Sequence, residues 1–168
     1  MQRRPALAAT AAALLALAGC GFRLRGSQTY AFSQIAVLPQ PGGPLAIELR
    51  RYLAASVRVL AEDEPLTKAQ VVLDLLQEQR EKTVVGVNAS GQVREFQLRI
   101  RLRFSLRTPQ GLPLIEPTDI LQQRDISFNE SAVLAKEAEE SLLYRDMQSD
   151  IVQQLLRRLA AVKSLTPP

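Results

Sequence analysis

No histidine and no tryptophan occur among the 168 residues, cysteine occurs once, at position 20, and aromatic residues make up 5% of the chain. Lack of histidine removes the commonest general base near neutral pH, the commonest metal ligand and the usual activator of a serine or cysteine nucleophile. What remains for catalysis is carboxylate-only chemistry, with Asp119 and Asp125, or Glu137 and Glu140, as the available pairs. The sequence therefore argues against an enzyme and offers no cofactor. A lone cysteine excludes an internal disulfide. No glycine-rich phosphate loop, metal-ligand cluster or internal repeat is present. Charge of neither sign dominates: 21 Lys and Arg face 17 Asp and Glu, a net of +4 that falls to +2 without Arg3 and Arg4. The basic balance thus carries no nucleic-acid signature. At 46% hydrophobic and 23% charged, the chain fits one globular domain rather than a disordered segment.

The apolar run from Ala6 to Ala18 is shorter than the about 20 residues a bilayer span needs. Preceded by Arg3 and Arg4, it has the charged and apolar regions of a secretory signal. It ends Leu17-Ala18-Gly19-Cys20, which looks like a bacterial lipobox. In such a motif the thiol takes a diacylglyceryl group through a thioether, the peptide bond before the cysteine is cut, and the freed amine is acylated. The expected division is a lipoprotein signal peptide over 1–19, a lipidated N-terminus and tether over 20–34, one domain over 35–163 and a short tail over 164–168. Cleavage leaves 149 residues, enough for a substantial core. At about 0.8 kcal/mol per buried methylene, two or more acyl chains hold a protein stably on a membrane without spanning it. Gly21 stands where an acidic residue would retain a lipoprotein in the inner membrane, which points to the outer membrane.

Along the domain, Ile35-Ala36-Val37-Leu38 reads as a buried strand stopped by Pro39, Pro41, Gly42 and Gly43. Pro44 suits a first helical position, and Leu45, Leu49, Leu53, Val57 and Leu60 recur at helical spacing, with Glu62-Asp63-Glu64 and Pro65 closing that helix. Val71 to Val87 reads as a strand that loses alternation between Gln77 and Lys82, and Asn88-Ala89-Ser90-Gly91 supplies a hairpin turn. The returning strand alternates strictly. Phe96, Leu98, Ile100, Leu102, Phe104 and Leu106 point to a core, and Arg99, Arg101, Arg103 and Arg107 point away at roughly 6–7 Å per two residues. Arg94 adds a fifth guanidinium near the turn. Such a row either meets carboxylates on adjacent strands, with Asp74, Glu78, Glu81 and Asp125 as candidates, or forms an anion-binding surface. A further strand over Thr118 to Phe128 and a long helix starting after Asn129 or Ser131 complete the order β-α-β-β-β-α. The fold class is α+β, two helices on one face of a roughly four-stranded, mainly antiparallel sheet.

The start Cys20-Gly21-Phe22-Arg23-Leu24-Arg25-Gly26, the segment Gly91-Gln92 to Glu95-Phe96-Gln97-Leu98, and Leu134-Ala135-Lys136 together resemble the LptE family of lipopolysaccharide-assembly lipoproteins. The resemblance covers essentially the whole chain after the signal. It implies a domain that sits as a plug inside the large outer-membrane β-barrel LptD, assists the folding of that barrel and binds lipopolysaccharide during its delivery to the cell surface. It carries the family's basic residue at the head of the last helix to Lys136, while the family's basic residue in the hairpin turn falls at Ala89, leaving Arg94 as the substitute. The residues taken alone also admit a stand-alone envelope lipoprotein that binds an anionic polymer without a barrel.

Overall fold

A computed structural model describes residues 28–165. Cys20, the signal and the last three residues of the tail lie outside the described residues. The elements are β1 (Gln34–Leu38), α1 (Pro44–Ala54), β2 (Arg58–Val59), β3 (Val71–Val87), β4 (Val93–Arg107), β5 (Pro113–Ser127) and α2 (Val133–Ala161). They form one five-stranded sheet in the order β2-β1-β3-β4-β5. The expected class is right, and the sheet differs in detail: β1 runs parallel to both β2 and β3, and only β3, β4 and β5 form an antiparallel meander.

Both helices lie on the same face, where Leu45, Leu49 and Leu53 of α1 and Met147, Ile151, Val152, Leu155 and Leu159 of α2 meet Leu98, Ile100, Leu102, Phe104 and Leu106 of β4. Every one of these side chains is buried. Each stabilises by about 1.5–3 kcal/mol relative to remaining in water. Tyr30 and Phe32, within the stretch read as a tether, pack on this core as well.

Pro44 begins α1 as expected, but the helix stops at Ala54. Val57 and Leu60 are buried outside it, and the chain turns instead into β2, with the N–H of Arg58 and of Leu60 donating to the carbonyls of Ser33 and Ile35. The β-branched Val57 and Val59 favour the extended chain once a parallel partner is at hand. The acidic patch therefore closes a loop rather than a helix. Glu64 accepts the Ala61 N–H at 3.1 Å and pairs with Arg58 at 2.6 Å and Lys68 at 3.4 Å. That backbone hydrogen bond, helped by the two cations, holds its carboxyl below the usual range.

The Pro39–Gly43 turn is held from the helix. Arg50 donates to the carbonyls of Val37 at 2.8 Å, Pro39 at 2.6 Å and Pro41. Burial lowers its pKa, and the charge of Glu62 opposes that shift. Gly42 has φ +71°, and a Cβ there would stand 2.7 Å from that of Ala46 and 2.8 Å from the Pro39 carbonyl, so no other residue fits.

The β3–β4 hairpin is continuous, with irregular register between Leu75 and Gln77 and again around Gly86. β5 begins at Pro113, earlier than the expected Thr118. Pro113 and Pro117 are tolerated because β5 is an edge strand, where a missing N–H forfeits no ladder bond on the free side. Asn129 caps a short 3₁₀ turn ahead of α2, its side chain accepting the Ser131 N–H.

Candidate functional site

Two surfaces gather the residues singled out by the sequence. The first lies where the head of α2 meets the far end of the hairpin. There a pocket of ≈ 240 Å³ is lined by Lys82, Phe96, Ile126, Ser127, Phe128, Val133, Lys136, Glu137 and Glu140. Its floor is aromatic: Phe96 and Phe128 meet edge to face with centroids 5.3 Å apart. Two ammonium groups form its wall. Lys82 Nζ stands 4.4 Å from the centre of the Phe96 ring and 2.6 Å from Glu140 Oε2. Lys136 Nζ donates to Ser127 Oγ at 3.0 Å and to Glu139 Oε2 at 2.8 Å.

An apolar floor of this kind can hold a hydrocarbon chain, and ammonium groups beside it can exchange their glutamates for another anionic group. Lys136 was legible from its resemblance. Lys82, Phe96 and Phe128 were not, because only strand pairing and the fold-back of α2 bring them to one place. The nearby turn is closed by Asn88, whose side-chain oxygen accepts the N–H groups of Ser90 and Gln92, and Ala89 is exposed on it. Arg94 is exposed, and strand alternation places it on the side of Phe96, apart from the other arginines.

The second surface is the face of the sheet turned away from the helices. Arg99, Arg101, Arg103 and Arg107 stand on it in one row. Arg107 pairs with Asp74, Nε to Oδ2 at 2.7 Å, and Arg99 Nε donates to Gln97 at 2.7 Å. Of the other carboxylates expected to neutralise the row, Glu78 pairs with Arg80 and Asp125 accepts from Gln97. Among the described residues, Arg101 and Arg103 have neither an ion pair nor a hydrogen bond from their side chains.

Of the carboxylate pairs, Asp119 and Asp125 are not brought together. They are six residues apart on β5, about 20 Å, too far to act on one bond. Glu140 is held by Lys82. Arg80 and Tyr144 tie the hairpin to α2: Arg80 donates to Gln148 at 2.8 Å, and the Tyr144 hydroxyl donates to the Glu81 carbonyl at 2.8 Å. Burial, with Glu140 adding, raises the Tyr144 pKa and keeps that donor protonated, while Arg80 opposes the shift.

The family model for LptE, lipopolysaccharide-assembly, matches residues 28–159. The LPS-assembly lipoprotein LptE of Yersinia enterocolitica is 32% identical over 153 residues, covering 89% of this chain and 72% of that protein. Its counterpart in Pectobacterium atrosepticum is 31% identical over 154 residues, with 89% and 82% covered. The solution structure of lipoprotein B from Nitrosomonas europaea is similar at 31% identity and a TM-score of 0.72, over 84% of this chain and 91% of that one. Rare lipoprotein B from Shewanella oneidensis, at 21% identity, shares the fold with a TM-score of 0.64, over 76% and 94%.

Proposed function

Because this chain belongs to the LptE family of lipopolysaccharide-assembly lipoproteins, we propose that it works as the lipopolysaccharide-binding plug and folding partner of the outer-membrane barrel LptD. Its role is in lipopolysaccharide assembly, without enzymatic chemistry of its own. Cys20 carries the lipid that holds it at the outer membrane after removal of residues 1–19, and the domain reaches from there into the barrel.

The pocket at the head of α2 supports this reading most directly. Lipopolysaccharide joins acyl chains to phosphorylated sugars, and the pocket joins an aromatic floor to Lys82 and Lys136. Arg94 lies close enough in sequence to the Phe96 wall to extend its cationic rim.

Affinity isolation of the lipidated protein from outer membranes tests the partner. We expect a stoichiometric large barrel in the eluate; a preparation free of any barrel overturns the plug reading and favours a stand-alone lipoprotein. Capture of labelled lipopolysaccharide by the purified protein tests the pocket, with Lys82→Ala/Lys136→Ala as the variant. Undiminished capture would remove the lysines from the site.

A further inference from the structure

We propose that the open sheet face centred on Arg101 and Arg103 docks a folded protein surface bearing fixed carboxylates, and that it is separate from the lipid site. This deepens the plug reading and rests on it only for the existence of a protein partner.

The proximal end of this face is already covered. Ala36 of β1 and Val72 of β3 are buried beneath Leu60 and Ala69 of the loop that follows β2. Beyond Val72, no other element among the described residues packs on it. There the register lines up three-strand rows: Gln77, Arg103 and Asp119; Gln79, Arg101 and Leu121; Glu81, Arg99 and Gln123. Each arginine thus occupies the middle strand of its row. The outer two of the four have partners, Arg107 in Asp74 and Arg99 in Gln97. The inner two are left free, although Asp119 lies directly across from Arg103.

Two unpaired guanidiniums on adjacent like-facing positions repel one another and gain nothing within the chain. Guanidinium is weakly hydrated and presents a planar fork, which makes arginine the cation suited to desolvation in an interface. Leu121, beside Arg101, is 47% exposed and adds an apolar contact at the centre of the same patch.

The border decides which partner fits. Asp74, Glu81, Glu95, Asp119 and Asp125 share the face with Arg99, Arg101, Arg103 and Arg107, so five carboxylates surround four guanidiniums. The opposite charges nearly balance, and beyond a Debye length, about 8 Å at physiological ionic strength, the face presents no net positive field. A mobile polyanion such as a phosphorylated glycolipid meets the acidic border as often as the cationic centre. A folded protein holds its anions in place and can seat carboxylates on Arg101 and Arg103 while keeping them off the rim.

The test places a photo-crosslinking residue at Leu121 in the full lipidated protein in cells. We expect a crosslink to a protein peptide containing Asp or Glu. Arg101→Glu/Arg103→Glu should lower that yield about tenfold or more, and exchanging the identified acidic residues for lysine should restore it. A milder Arg101→Ser/Arg103→Ser variant, with circular dichroism, separates a lost contact from a lost fold. Crosslinking to lipopolysaccharide, a yield indifferent to charge reversal, or no crosslink overturns the proposal. So does a loss of lipopolysaccharide capture by the arginine variant equal to that of the lysine variant, an outcome that leaves the plug reading standing. A charge-dependent crosslink to an acidic protein other than a barrel supports the docking face while overturning the plug reading.

Discussion

The two ends of β3 belong to the same strand and obey opposite rules. At its start Val71, Val72 and Leu73 are buried on both faces, Val72 under the loop after β2 and Leu73 under the helices. From Leu76 onward no residue of β3 is buried, and Val84, Val85 and Val87 are 46%, 49% and 59% exposed. The head of α2, which lies over that far end, leaves Leu134 81% exposed. What joins hairpin and helix there is polar: Arg80 to Gln148, Lys82 to Glu140, Tyr144 to the Glu81 carbonyl. On β3 the proximal end supplies buried apolar contacts, whereas the distal end is joined to α2 by polar ones.

That contrast can be broken from either end. The largest effect belongs to the proximal core: Phe104→Ala, at a fully buried position, should cost about 3–5 kcal/mol in urea denaturation. Arg50→Met removes the guanidinium that holds three carbonyls and should cost about 2 kcal/mol, with protease cleavage appearing at the Pro39–Gly43 turn. Lys82→Ala/Lys136→Ala should leave the denaturation midpoint nearly unmoved while lowering lipopolysaccharide affinity by about tenfold or more. Val85→Ser/Val87→Ser should stay within about 0.5 kcal/mol of the parent protein. A larger loss would mean that the distal half is packed in the free protein, and the contrast would fail.

The smallest effect is a sharpening by pH. The Glu64 pKa is lowered in the fold, so its contribution is present above the ordinary glutamate range and is lost as pH falls through the folded value. The protection of the Ala61 amide against hydrogen exchange, relative to an unstructured amide at the same pH, should therefore fall only on acidification to that region, before the core amides respond. A Glu64→Gln variant should abolish that dependence.

Much of the proximal half was legible in the chain itself. The strict alternation from Phe96 to Leu106 named every core residue of β4. Leu143, Met147, Ile151, Leu155 and Leu159, which recur every four residues in the sequence, with Val152 and Leu156 beside them, trace the face of α2 that packs on the core. Leu142, part of the same sequence stripe, is instead 53% exposed. Local pattern suffices where one face is wholly buried. It fell short where tertiary partners override local preference. Val57 and Leu60 continue a helical stripe, yet parallel pairing with β1 draws their segment into β2. Thr118 looked like the earliest start of β5 because Pro113 and Pro117 precede it, and only an edge position admits them. The pocket was half visible: Lys136 through the family resemblance, Lys82 not at all, since nothing local says that a polar position on a long hairpin will stand over Phe96. The arginine row was visible as a row. Which of its members lack partners depended on the register of two neighbouring strands.

The parallel pairing of β1 also fixes how the fold carries load. Load applied to the chain ahead of Gln28 along the axis of β1 would require Ile35 to Leu38 to slide past Val71 to Asp74 together. Hydrogen bonds that lie across the direction of pull are strained in shear, all at once, instead of being unzipped one by one. β1 is moreover an interior strand, gripped by β2 on its other side. Load applied there would meet a mechanical clamp at the proximal end, roughly 30 Å along β3 from Lys82 of the distal pocket.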